Sequence, residues 1–277
     1  MTPDAYCQQK AAASGSSFYY SFLFLPPERR RAITALYAFC REVDDAVDEA
    51  SEAQRAAVKL AWWRAEIANL CAGKPQHPVT RALSPFMEKY SISEEKLLEI
   101  IDGMEMDLTQ TRYLDWPGLE RYCYRVAGVV GILAAGIFGY SDARTLEYAR
   151  ALGIAFQLTN IIRDVGEDAR KNRIYLPMED LKAHEVPASD ILQSRETEAF
   201  GRLMRFEAGR ARQHYAQAMQ ALPAADRRAQ RPGLIMAAIY RALLDEIERD
   251  GFRVLTQRTS LTPLRKLFIA WKTWLGA

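Results

Sequence analysis

Cysteine and histidine are too few and too scattered for a zinc or thiolate site: Cys7, Cys40, Cys71 and Cys123 form no CxxC pair, and His77, His184 and His214 lie far apart. The same spacing offers no disulfide framework, and the N-terminus lacks the basic-then-apolar pattern of a secretory leader, so a reducing, cytoplasmic setting is expected. Charge of one sign is lacking too. With 37 Lys and Arg against 35 Asp and Glu, no field marks nucleic acid as a partner. No uncharged run reaches the roughly 18–20 residues of a bilayer span; the longest, Val126 to Ser141, is glycine-rich and reads as a buried helix. Sustained alternation of β-branched residues is absent, which argues against a sheet.

What is present is apolar periodicity at three and four along 277 residues, nearly half of them apolar, which predicts an all-α fold with a substantial core. A helix is expected behind Pro26 and Pro27 to about Glu49, since proline suits a first turn. Others are expected near 52–72, 78–89, 93–110, 115–139, 142–168, 195–221, 232–256 and 261–275. The breaks at Gly73 to Pro78, Trp116 to Gly118, Val186 to Ser189 and Arg231 to Gly233 are short, so residues 1–277 are expected to form one domain.

Two helical segments carry acids where local rules disfavour them. On the 33–49 helix, Asp44 falls inside the apolar stripe of Ile33, Tyr37, Cys40 and Val47, with Asp48 one turn on, while Glu42 and Glu49 point to the opposite, wet side. Two carboxylates four apart on a core face need a positive neighbour: either a hard divalent cation, or simply Arg41 in a structural network. In the second segment, Gln157, Asn160, Asp164 and Asp168 share a narrow polar stripe, while Ile154, Leu158, Ile161, Ile162 and Val165 cover much of the remaining circumference. Such a helix is buried and turns its polar stripe to an interior cavity or partner. Its acids also stand at the negative end of the helix dipole, as expected where function outweighs local stability.

Oxygen ligands of this kind suit Mg2+, or Mn2+ in its place, completed by phosphate oxygens, so the expected ligand is a diphosphate gripped from two helices. Arg41, Arg170, Lys171 and Arg173 supply donors to phosphate, with ordinary surface charge the alternative for each. Tyr37, Tyr122 and Tyr240 can present hydroxyls to the cavity, or merely pack. Gly128, Gly131, Gly136 and Gly139 permit close helix approach or room for a hydrocarbon chain, close packing being the simpler reading.

Asp44-Asp-Ala-Val-Asp48, Asn160-Ile-Ile-Arg-Asp164-Val-Gly-Glu-Asp168, the intervening Tyr122-Cys-Tyr-Arg-Val-Ala-Gly128 stretch and the N-terminal Ser14-Gly-Ser-Ser17-Phe18-Tyr run resemble the squalene and phytoene synthase family. Within it the chain most resembles bacterial presqualene diphosphate synthases of hopanoid pathways. The resemblance implies an isoprenoid-synthase-type helical bundle around an apolar cavity. It implies head-to-head condensation of two farnesyl diphosphates to presqualene diphosphate and diphosphate, by ionisation and cyclopropanation. Asp44, Asp48, Asn160, Asp164 and Asp168 would then hold metal and diphosphate. Ser17, Phe18, Arg41, Gln157, Arg163, Lys171, Arg173 and Tyr240 would bind substrate, with Tyr37 and Tyr122 at the reacting centre. Either a tyrosine or the released diphosphate would remove the proton. No GxGxxG follows a strand, so no NADPH is expected.

Phytoene synthase acting on geranylgeranyl diphosphate, hydroxysqualene synthase, and a non-catalytic helical assembly factor on the same fold are the alternatives. Contact with downstream squalene-pathway enzymes is a further expectation. The 261–277 segment is an amphipathic helix, with Leu264, Leu267, Phe268, Trp271 and Leu275 on one face and Arg265, Lys266 and Lys272 nearby. It suits either docking on the protein's own core or transient contact with the inner face of the membrane.

Overall fold

A computed structural model describes residues 1–13, 21–22, 24–48 and 53–276, with the side chain of Asp48 outside the description. The fold is all-α. Among the described residues there is no strand, only an isolated parallel bridge between Arg112 and Ile174. The helices are α1 (Pro3–Ala13), α2 (Pro27–Asp48), α3 (Ala53–Cys71), α4 (Pro78–Leu83), α5 (Glu94–Thr109), α6 (Trp116–Cys123), α7 (Val129–Phe138), α8 (Arg144–Arg170), α9 (Met178–Ala183), α10 (Ala188–Leu192), α11 (Glu198–Ala221), α12 (Arg231–Arg249) and α13 (Pro263–Gly276).

Side chains that satisfy orphan backbone N–H groups set several of the starts. Ser93 accepts from Lys96, Asp115 from Gly118 and Thr197 from Phe200, so α5, α6 and α11 begin where short polar residues precede an apolar run. The expected 78–89 helix stops at Leu83 and continues as a 3-10 turn, Ser84–Phe86, because Pro85 cannot extend the ladder. The expected 232–256 helix ends at Arg249, where Gly251 turns the chain at φ +72°. Helix α1 was not expected. It buries only Cys7 and Ala11, too little apolar surface to show a period.

Two cores meet at a helix defect. One gathers around α8 with α6, α11 and α12; the other surrounds α2 with α3, α4, α5 and α7. The π-turn Tyr124–Gly128 joins α6 to α7, and its Tyr124 and Val126 pack against both cores. The combined helix Trp116–Phe138, 23 residues, is long and apolar enough to cross a membrane by length and composition, a test that core helices also pass. Its contacts are those of a core helix. A Cβ on Gly131 would stand 2.4 Å from the Ala149 carbonyl oxygen, and one on Gly153 would stand 2.3 Å from that of Ala127, so backbone packs on backbone between α7 and α8.

Candidate active site

Between the two cores lies a cavity with about 950 Å3 of empty space, open mouth included. Ile33 and Leu36 of α2, Val130 and Phe138 of the α7 region, and Leu152 and Phe156 of α8 wall it with hydrocarbon. Toward one end, Tyr37 and Cys40 of α2 lie on the same cavity as Gln157 and Asn160 of α8. One turn beyond Cys40 is Asp44, and one turn beyond Asn160 is Asp164. Both acid motifs therefore follow the rim of a single apolar chamber.

On α2, Arg41 donates to Asp44 at 2.5 Å and to Asp45 at 2.6 Å, so the network considered as an alternative does exist. Asp44 is nonetheless half-buried, not deep in the stripe. Glu42 does not face water as expected: α1 covers it, with Lys10 at 3.0 Å and the Tyr6 hydroxyl donating at 2.7 Å. Ser17, Phe18 and Glu49 lie outside the described residues.

On α8, Gln157 Oε1 accepts from Asn160 Nδ2 at 3.4 Å, and the buried Asn160 Oδ1 has no hydrogen-bond partner. Asp164 is held by Arg163 of its own helix and by Arg258 Nε at 2.8 Å. Burial by itself would raise Asp164; the two guanidiniums outweigh it and hold the carboxyl below its ordinary range. Asp168 goes the other way. Burial, then the Asp164 and Asp107 carboxylates, push it up to about 7 against the pull of Lys171 and Arg173.

Tyr122 corrects an expectation. It is buried away from the cavity lining, where its hydroxyl donates to Asp107 Oδ2 at 3.0 Å. Tyr175 donates to the other oxygen at 2.7 Å, Tyr113 stacks alongside, and Arg173 reaches the Asp107 carbonyl at 3.0 Å. Tyr240 is likewise absent from the lining; buried on α12 against Phe156, it lies within electrostatic reach of Arg163, Tyr37 and Asp164 and bonds Asn160. Tyr240 thus connects the α2 and α8 sides.

Asp107 and Arg258 are site neighbours that sequence reasoning missed. Asp107 interrupts the apolar stripe Ile100, Ile101, Met104 of α5, the same signal that singles out Asp44. Arg258 lies in irregular chain after α12 and shows no period. It reaches Asp164 because Gly166, lacking a side chain, lets the 254–255 backbone approach: its N–H donates to Val254 O at 3.1 Å, and a Cβ would stand 2.4 Å from Leu255 O.

Among the described residues no three carboxylate, imidazole or thiol groups form a ready cage for an ion. The donor set still fits magnesium, which takes one or two carboxylates and completes its shell from water and phosphate. The unpartnered Asn160 oxygen and the mutually repelling Asp164 and Asp168 are oxygen donors of the kind that ion takes.

The squalene/phytoene synthase profile matches residues 11–265. The chain belongs to the squalene/phytoene synthase family. It is 35% identical over 283 residues to 15-cis-phytoene synthase of Synechocystis sp., covering 98% of this chain and 84% of that one. A dehydrosqualene synthase crystal structure superposes with TM-score 0.87 at 28% identity, covering 98% of this chain and 95% of the other. Squalene synthase HpnC from Alicyclobacillus acidocaldarius gives 0.80 at 28%, covering 90% and 94%. The fold is thus that of the isoprenoid-synthase helical bundles, and membership in the squalene/phytoene synthase family makes the chain an enzyme of isoprenoid biosynthesis.

Proposed function

We propose that the chain joins two geranylgeranyl diphosphates head to head, giving phytoene. The observation that carries the chemistry is the convergence of Tyr37 and Cys40 with Gln157 and Asn160 on one apolar cavity, each pair one turn before an acid motif. The twenty-carbon substrate is favoured over the farnesyl diphosphate that the resemblance implied because phytoene synthases are among the relatives at 35% identity. Condensation of farnesyl diphosphate to presqualene diphosphate is the second reading, supported by the likeness to HpnC and dehydrosqualene synthase. In both readings residues 1–277 act as one domain, since the cavity draws its walls from both halves.

Asp44, Asp48, Asn160, Asp164 and Asp168 would hold Mg2+, which when bound supplies positive charge to the leaving diphosphate. The chain's own cations do related work: Arg41, Arg163, Arg173, Arg258 and Lys171 lie beside these acids and offer N–H donors to phosphate oxygens. The hydrocarbon wall excludes water, so an allylic cation formed at the rim meets the second substrate's double bond before it meets a hydroxyl. Burial raises the phenols of Tyr122 and Tyr240, which keeps them protonated as donors, not bases. The proton lost on ring closure goes to the departing diphosphate, and the cyclopropyl diphosphate so formed loses its own diphosphate and a second proton to become phytoene.

Purified protein with Mg2+ and either farnesyl or geranylgeranyl diphosphate, with and without NADPH, decides the substrate by product mass. A forty-carbon hydrocarbon formed without NADPH from the longer substrate is expected. A thirty-carbon cyclopropyl diphosphate from the shorter one moves the assignment to the second reading. Absence of diphosphate release from both would leave the assembly-factor alternative.

A further inference from the structure

We propose that the end of the chamber away from the acids is a hydrogen-bonding subsite for an oxygen on the substrate, so that the chain also takes prenyl diphosphates whose last isoprene unit carries a hydroxyl. The proposal rests on the chamber's being the place of the prenyl chain. Two independent features meet at that end. Tyr148, in the second turn of α8, is the α8 lining residue farthest from Asn160; it is 1% exposed, and its hydroxyl has no hydrogen-bond partner. The first turn of α12 lines the same chamber through Pro232 and Gly233, and a Cβ on Gly233 would stand 2.5 Å from that hydroxyl. The phenol is therefore aimed at the N-terminus of a 19-residue helix.

That helix end keeps a donor unused. Gln230 holds the N-cap position, but its amide donates to Ala135 O at 3.2 Å and Gly139 O at 2.9 Å, and no side chain caps α12. Pro232 has no N–H, the Leu234 N–H bonds back to Gln230 O at 3.0 Å, and the Gly233 N–H finds no acceptor among the described residues. Uncapped N–H groups at the positive end of a helix attract oxygen. Burial keeps the Tyr148 phenol protonated against the weaker pull of Arg227, so it too is a donor. Two donors side by side at the end of a hydrocarbon wall have an oxygen acceptor as their complement. A phenylalanine would fill the same space without the cost of a buried, unbonded hydroxyl. Position fixes where the oxygen lies on the ligand. Tyr148 is twelve residues, roughly 18 Å of helix, from Asn160, so only the tail of a chain whose diphosphate stands at the acid rim reaches it. A neutral hydroxyl passes the apolar wall at far less cost than a carboxylate. Condensation is otherwise unchanged: each chain loses its diphosphate, two protons leave in all, and both hydroxyls stay on the forty-carbon product.

The test is titration calorimetry of the whole chain with geranylgeranyl thiolodiphosphate, whose C–S bond resists ionisation, and with the same compound hydroxylated on its last isoprene unit. Wild type should bind the two within a few-fold of each other. Tyr148→Phe should weaken the hydroxylated chain relative to the plain one by about 10–100-fold, with a melting temperature that holds or rises, since the lost hydroxyl had no partner. If that variant melts lower, Gly233→Ala, which sets a methyl group against the phenol, must shift the ratio in the same direction. The same ratio in wild type and variants overturns the proposal, as does a wild type that rejects the hydroxylated chain by about a hundredfold. So does an assay with the reactive diphosphates in which the plain chain condenses and the hydroxylated one does not. Failure of both to react counts instead against the proposed condensation, while the binding ratio, read without turnover, still decides the subsite.

Discussion

The Tyr175 hydroxyl donates to Asp107 Oδ1 across 2.7 Å, in a buried cluster behind the second acid motif. Asp107 also takes the Tyr122 hydroxyl on its other oxygen and Arg173 on its carbonyl, so two tyrosines and an arginine that acts on Asp168 are held through one residue. Asp107→Asn replaces an acceptor by a donor that faces a phenol. It should destabilise the fold by about 1–3 kcal/mol. Loss of such supporting contacts should also raise the Mg2+ needed for half-maximal rate by about 10–100-fold. A magnesium titration of activity, with melting curves on the same samples, checks both. A melting shift with an unchanged magnesium requirement would reduce Asp107 to a structural role.

Asp168 sits against Asp164 and Asp107 with its charge poorly compensated. Asp168→Asn keeps the shape and removes the repulsion, so the metal-free protein should melt at a higher temperature while turnover falls at least about a hundredfold. Differential scanning calorimetry without magnesium, paired with a product assay, tests this. A variant that is both less stable and fully active would contradict the reading of Asp168 as an acid kept for function.

Gly166 makes room for the 254–255 backbone, and that approach brings Arg258 onto Asp164. Gly166→Ala must push the segment away, at an overpacking cost of about 1–3 kcal/mol. Activity should drop beyond what Arg258→Ala alone produces, because the end of α8 moves as well. Melting and kinetic comparison of the two variants decides it.

These examples also show what the residues reveal before folding. Asn160, Asp164 and Asp168 were legible because an otherwise apolar helix isolates its polar stripe, and Asp44 because it interrupts one. Asp107 obeys the second rule and was readable by it. Arg258 was not, since its place depends on a glycine ninety-two residues earlier admitting a loop backbone. Glu42 was misassigned for a similar reason: α1, which shows no apolar period, covers its face with Tyr6 and Lys10.

Asp226 should govern acid stability. Its two oxygens accept from the Ser141 N–H at 2.8 Å and hydroxyl at 2.6 Å, the Asp142 N–H at 3.1 Å and the Thr145 hydroxyl at 2.7 Å, pinning the start of α8. Burial opposes ionisation, but these four donors outweigh it and hold the carboxyl down at about 2. A depressed carboxylate adds stability above its unfolded value, near pH 4, and that stability is lost as pH falls toward 2; the amount is on the order of 2 kcal/mol. Asp226→Ala should flatten this part of the pH–stability curve, as read by chemical denaturation from pH 7 down to pH 3. An unchanged slope would show that other acids dominate.

Substrate length should be set at the far end of the cavity from the acids. Along α8 the lining runs from Asn160 back to Tyr148, twelve residues or roughly 18 Å of helix. Phe138 and Tyr148 line that end, and Gly233 admits the Tyr148 hydroxyl, since a Cβ there would stand 2.5 Å from it. Ala134, one turn before Phe138 and half-buried on the same lining, is the smallest change that shortens the chamber without touching the rim. A phenylalanine there fills space that the end of a long chain must occupy, whereas a chain one isoprene unit shorter stops before it. Ala134→Phe should therefore lower kcat/KM for geranylgeranyl diphosphate by about 10–200-fold and leave that for farnesyl diphosphate within a few-fold. Competition between the two substrates, with products separated by mass, reads the ratio directly. Equal loss on both substrates would mean that the ring blocks the common part of the tunnel, and the specificity boundary would then have to lie elsewhere along α7.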